Sequence, residues 1–199
     1  MRATEVLIKA WRKEFNQGDR PFYYVQIAPF QYENKDLKAS DIAFFREKQT
    51  VFRQLKNVEM VTTLDVGNPK DIHPKDKKPV GLRLAYIALN NTYHKNVAYT
   101  GPQFDHFKIS DKQVKIFFKP KSLSGRSETS DGLSPKYFQI AGKDEKFYNA
   151  NATIRRNKII LNSTEVKQPV AVRYAFVNAP ITNLQNGKGL PAEQFRTDK

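Results

Sequence analysis

The chain has no cysteine. A disulfide framework and any thiolate metal site are excluded, while the compartment stays open. No apolar run approaches the ~20 residues of a membrane span, so no membrane partner is expected. Met1 leads into polar, amphipathic sequence, with no secretory signal in view. Histidine is scarce. His73, His94 and His106 share no spacing pattern, and zinc needs three or four ligands, so neither a metal nor a cofactor is expected. Also missing is a G-x-S-x-G elbow, or any serine just after a buried strand at the start of a helix. Ser122, Ser124, Ser127 and Ser130 fall in a polar stretch read as a solvated loop, which leaves the chain without a nucleophile of its own. The one tryptophan, Trp11, lies on a predicted helix and offers no platform for stacking a sugar.

What is present suffices for a folded core. Apolar residues make up 39% and aromatics 12% of 199 residues, enough for one good core or two modest ones. Lysine and arginine exceed aspartate and glutamate by 34 − 20 = 14. The basic residues are interleaved with acids over both halves, with no helix-turn-helix or RNA-binding aromatic signature. No specific nucleic acid is expected; polyanion binding should be weak and salt-sensitive.

Residues 4–15 predict a helix with Leu7, Ala10, Trp11 and Phe15 inward. FYYVQIA, residues 22–28, is a nearly continuous apolar run between Pro21 and Pro29, the pattern of a strand buried on both faces. A helix follows at 42–55, with Ile42, Phe45, Gln49, Phe52 and Leu55 as its stripe. VEMVTTL, residues 58–64, is a second strand. Pro79 suits the first turn of a helix reaching to about 93, with Val80, Leu84, Ile87 and Ala88 inward. Right-handed crossover makes the two strands parallel neighbours. From residue 100 onward the chain changes to short alternating runs separated by Gly, Asn, Ser and Asp turns, which predict antiparallel sheet or part of a sandwich. The expected class is α/β, a partial parallel sheet with flanking helices over 1–99, then an antiparallel β-sandwich-like region with an irregular tail over 100–199. KSLSGRSETSDGLSP reads as a mobile loop.

The loop LDVGNPKDIHPKDKKP, from Leu64, joins the second strand to the third helix. Ligands of open parallel sheets sit outside the carboxyl ends of the strands, which is where this loop lies. His73 there has the chemistry of a general base, given an acceptor to orient its ring. Asp71 or, alternatively, Asp65 is the candidate. The competing reading is a solvated turn whose aspartates cap the approach to the helix.

The block LDVGNPKDIHPKDKKPVGLRLAYIAL resembles the histidine block of the sialate O-acetylesterase family, a branch of the SGNH/GDSL hydrolases. PFYYVQIAPF and FREKQ, residues 45–49, are similar to that family as well, as is the closing segment PVAVRYAFVNAPITNLQNGKGLPAEQFRTD. The resemblance runs from about Leu7 to Asp198. It implies a serine esterase that removes acetyl groups from O-acetylated sugars such as sialic acid, with His73 as base and Asp71 as its orienter. The family's nucleophilic serine, oxyanion glycine and asparagine belong to blocks with no counterpart here. The chain is therefore expected to be the C-terminal portion of such an enzyme, inactive alone, and to bind an upstream fragment or to self-associate. The resemblance points to a secreted, periplasmic or lysosomal setting, on which the sequence itself is silent. The alternative reading is a non-catalytic module for glycan or polyanion binding or assembly.

Overall fold

The structure, a computed structural model, describes residues 2–31 and 40–198. Its first part is a small parallel α/β unit. Helix α1 (Arg2–Phe15) precedes strand β1 (Phe22–Val25). Helix α2 (Asp41–Thr50), extended by a 3-10 turn (Val51–Gln54), leads to β2 (Val58–Val61), and α3 (Lys78–Ile87) ends in a π-helical turn (Ala88–Thr92). β1 and β2 pair in parallel, Phe22 opposite Val58 and Val25 opposite Val61. Tyr24 donates to the Gln49 carbonyl, while the Tyr23 hydroxyl meets Thr92 at 2.6 Å, so α2 and α3 lie on opposite faces of the pair.

The expected helix faces need correction. α1 buries Ile8, but Leu7, Trp11 and Phe15 stay 42%, 50% and 57% exposed. Trp11 does reach the Phe22 ring, at 5.9 Å. In α2 the buried residues are Ala43 and Arg46, and Phe45 is outward. The cause is a fully buried arginine, which hydropathy cannot flag. Arg46 donates to the carbonyls of Asn178 (2.9 Å), Ala175 (3.3 Å) and Val177 (2.5 Å) and, through Nε, to Gln194 Oε1 (2.8 Å).

The second part is a pair of antiparallel four-stranded sheets. One holds β3 (Phe104–Ser110), β4 (Gln113–Phe118), β9 (Lys158–Asn162) and β8 (Asn151–Arg155) in that spatial order. The other holds β12 (Phe195–Arg196), β10 (Ala171–Tyr174), β6 (Phe138–Ala141) and β7 (Phe147–Asn149). NATIRRNKIILN is a hairpin, closed by Arg156 and Asn157 at φ 47° and 65°, the left-handed pair that a two-residue turn between twisted strands requires. The alternation in QVKIFF buries Val114, Ile116 and Phe118, which meet Ile159 and Leu161 from β9 and Phe138, Ile140 and Val172 from the other sheet in one core. Leu64, just past the end of β2, belongs to the same core.

The stretch read as a mobile loop is ordered. It forms a short helix α4 (Pro120–Leu123) and a strand β5 (Ser127–Thr129) that pairs with β11 (Leu184–Asn186). Its partner comes from the tail, so no local signal marks it. Asn186, fully buried, donates to the carbonyls of Thr100 and Ser122. The tail itself packs: Arg196 meets Glu47 at 3.0 Å and Arg173 meets Asp198 at 2.5 Å.

Two outcomes follow from these ties. Arg46→Ala leaves four buried or part-buried acceptors without their donor and should cost about 3–5 kcal/mol. Urea unfolding should show it as a lowered midpoint, with Arg46→Lys intermediate because one ammonium cannot span the same set. Asp131 accepts from Lys136, Asn183 and the Leu133 amide, and these bonds, led by that from Lys136, hold its carboxyl down to about 2 against an ordinary 3.8. Its contribution to stability should be present above the ordinary value and lost as pH falls through about 2. Asp131→Asn should flatten that part of the acid-unfolding profile.

Candidate functional site

The loop after β2 is built from its backbone outward. Thr62 and Thr63 leave the strand buried, their hydroxyls donating to Gln26 Oε1 (3.1 Å) and to the Gln26 carbonyl (3.2 Å). Gly67 then lies against Pro29. A Cβ at 67 would stand 2.4 Å from the proline ring, so only glycine lets the loops after β1 and β2 touch. Gln31 donates to the Pro69 carbonyl at 3.0 Å, a second tie between them. Both loops lie at the carboxyl end of the parallel pair, where open sheets hold ligands.

Within the loop the short polar residues fold the chain onto itself. Asn68 Oδ1 accepts from the Lys70 amide (2.9 Å), Asp71 Oδ1 from the His73 amide (2.9 Å) and Asp76 Oδ1 from the Lys78 amide (3.3 Å). Such Asx turns fix a direction without a regular element. Asp71 therefore meets His73 through its backbone, and the imidazole is exposed. One oxygen of Asp71 sets the position of the histidine that follows it.

Asp65 is placed differently. Its two oxygens take the Arg83 guanidinium at 2.8 and 2.5 Å, and Arg83 also donates to the Thr62 carbonyl at 3.0 Å. Arg83 is buried and Asp65 is partly buried. This bidentate pair locks α3 to the end of β2, so Asp65 has a structural employment that Asp71 lacks. The serines stand apart from the loop. Ser122 donates to the Lys119 carbonyl and accepts from the Gln103 amide, Ser124 lies near the Asn186 amide, and Ser127 is buried in β5. His106 shows the other histidine–carboxylate contact: Nδ1 lies 2.9 Å from Asp105 Oδ2 and the ring stacks on Phe117 at 4.4 Å, both partners about half exposed. No described group of three His, Asp or Glu side chains converges as metal ligands.

A polar cluster that sequence reading missed lies at the other end of β2. Arg53 holds Glu193 through two 2.7 Å bonds and lies 3.5 Å from Glu59, while Gln103 donates to Glu193 at 2.9 Å. Arg53 and Glu193 are 140 residues apart, so no motif could have joined them.

No family model matches the chain, and no curated protein matches it. A solved structure does. A carbohydrate acetylesterase from Xanthomonas citri superposes with a TM-score of 0.87 at 34% identity, over 96% of this chain and 44% of that one. The chain thus has a carbohydrate-esterase fold, mixed α/β with a two-stranded parallel sheet and several antiparallel ones. It spans less than half the length of the acetylesterase it matches.

The two aspartates should separate by mutation. Asp65→Ala strands a buried guanidinium and should cost about 3–5 kcal/mol in chemical denaturation. Asp71→Ala removes one exposed turn bond and should cost about 1 kcal/mol or less. Equal losses would mean that Asp71 has a structural role as heavy as that of Asp65.

Proposed function

We propose that this chain supplies the base end of a serine carbohydrate esterase of the SGNH type, sialate O-acetylesterase-like, acting on O-acetylated sugars. His73 is the general base and Asp71 its orienter, with the nucleophile and oxyanion donors brought by another segment. The observation that carries the reading is the braced turn: Asp71 pins His73 at the carboxyl end of parallel strands, in a fold shared with a carbohydrate acetylesterase. In the working site His73 Nε2 would take the proton of a serine hydroxyl as it attacks the acetyl carbonyl, then return it to the departing sugar oxygen. Asp71, with one oxygen spent on the backbone amide, keeps its other for the imidazolium as it forms.

The same reading explains an inconsistency in the sheet. β1 has the sequence of a strand buried on both faces, yet its residues are half-buried and Val25 is 39% exposed, whereas three of the four residues of β2 are buried. β1 has β2 as its one described partner. A further parallel strand from the segment bearing the nucleophile would cover this edge together with Leu7, Phe15 and Phe45, each now exposed.

The chain alone should hydrolyse p-nitrophenyl acetate no faster than its His73→Ala variant, because on this reading the nucleophile and the donors for the developing oxyanion come from the other segment. Mixed with a segment carrying the serine, glycine and asparagine blocks, it should recover turnover. His73→Ala should then lower kcat by about 10³-fold or more, and Asp71→Ala by about tenfold less than that. Robust esterase activity in the chain by itself, dependent on His73, would overturn this account.

A further inference from the structure

Two cavities adjoin the cluster around Arg53, and Gln103 and Lys119 line both. Their volumes are about 590 and 910 Å³, within the ~300–1,000 Å³ of small-molecule sites, which favour boundaries between structural units. Here the boundary is between the parallel unit, which gives Arg53 and Glu59, and the antiparallel region, which gives Gln103 and Glu193. The cavities are remote from the His73 loop. Glu59 is the second residue of β2 and Leu64 lies past its end, a span on the order of 16 Å along an extended chain.

The cluster holds one acid more than its arginine balances. Glu193 uses both oxygens on Arg53. Glu59 spends one oxygen, Oε1, on the Met60 amide (2.9 Å) and on Arg53. Its Oε2 takes no hydrogen bond from any described residue, and Glu59 lines the larger cavity. The side chain is 16% exposed, and burial pushes its carboxyl above the ordinary range, offset in part by the Met60 amide and Arg53. Oε2 is not among the buried unpaired atoms, so it opens onto this cavity, where a ligand's hydroxyl can replace water as its donor. The rest of the lining says which ligand. Tyr99, Thr100, Asn96 and Ser124 present hydroxyl and amide groups, while Lys119 and Lys121 stand across from Glu59 in charge. Across the two cavities Glu47, Glu59, Asp105 and Glu193 balance Arg53, Lys119, Lys121 and Arg196, so the walls favour neither sign of net charge and suit a neutral ligand rich in hydroxyls.

We propose that this paired cavity is a binding subsite for a neutral saccharide, whose adjacent hydroxyls donate to Glu59 Oε2 and Gln103 Oε1. The choice of a saccharide over another polyol rests on the esterase reading above; the polarity argument does not. The subsite would grip the carbohydrate chain away from the ester that is cut.

Saturation-transfer NMR on the chain tests this with three probes: xylotetraose, mannotetraose and N-acetylneuraminic acid. At least one neutral tetrasaccharide should give transfer, and the acidic sugar should give none at equal concentration. Gln103→Ala and Glu59→Gln should each weaken the neutral complex about tenfold. Lys119→Ala, at an exposed position, is the second line should either of those fail to fold. His73→Ala should bind as the parent does. No transfer to either neutral probe, preference for the acidic sugar, or loss of binding in His73→Ala would overturn the subsite. Each of these leaves the recovery of turnover with the complementing segment untouched, so the two readings fail separately.

Discussion

The guanidinium of Arg46 is the constraint on which the two parts of the molecule depend. It leaves α2, crosses the boundary, and takes three carbonyls of residues 175–178 together with Gln194. Those carbonyls belong to a stretch that leaves β10 for the tail, where no ladder exists to satisfy them. A buried carbonyl without a donor costs about 1–3 kcal/mol, so the arginine offsets several such penalties at once. Its own backbone carbonyl accepts from Gln26, which also holds Thr62. The chain of bonds therefore runs from the tail through α2 to the carboxyl ends of β1 and β2.

The same principle of crossing ties recurs on every side of the boundary. Arg53 with Glu193, Arg196 with Glu47, the Gln194 amide on the Ala43 carbonyl and the Thr182 amide on the Leu64 carbonyl all join residues far apart in sequence. The tail is thus a strap over the parallel unit. It also supplies β11, the partner that turns the polar stretch around Ser127 into a strand. This support fixes the His73 loop, whose position is set by β2, by Pro29 against Gly67, and by Arg83 on Asp65.

That the segment around Asp71 turns was legible because Asn and Asp act locally, through side chain to backbone bonds two residues away; the structure brings Asp71 to the His73 amide and not to its ring. The Arg53–Glu59–Glu193 cluster was not, because its members come from a 3-10 turn, a strand and the tail. The helix faces were half legible. Ile87 is buried as its spacing implies, but Arg46 and Arg83 take core positions that a hydropathy stripe assigns to apolar residues.

The sequence by itself determined the order of helices and strands, the parallel pairing of FYYV with VEMV, the inward alternation of QVKIFF and the turn that carries His73. Each is a matter of spacing over a few residues, and period and turn chemistry act at that range. Tertiary structure alone decided that β1 has β2 as its one partner among the described residues, that Asp65 is committed to Arg83, and that the tail closes over the boundary. These depend on burial and on partners outside the local stretch, from 18 residues away for Arg83 to 151 for Gln194 on Ala43, where the penalty for an unmet charge or carbonyl, rather than local preference, selects the contact.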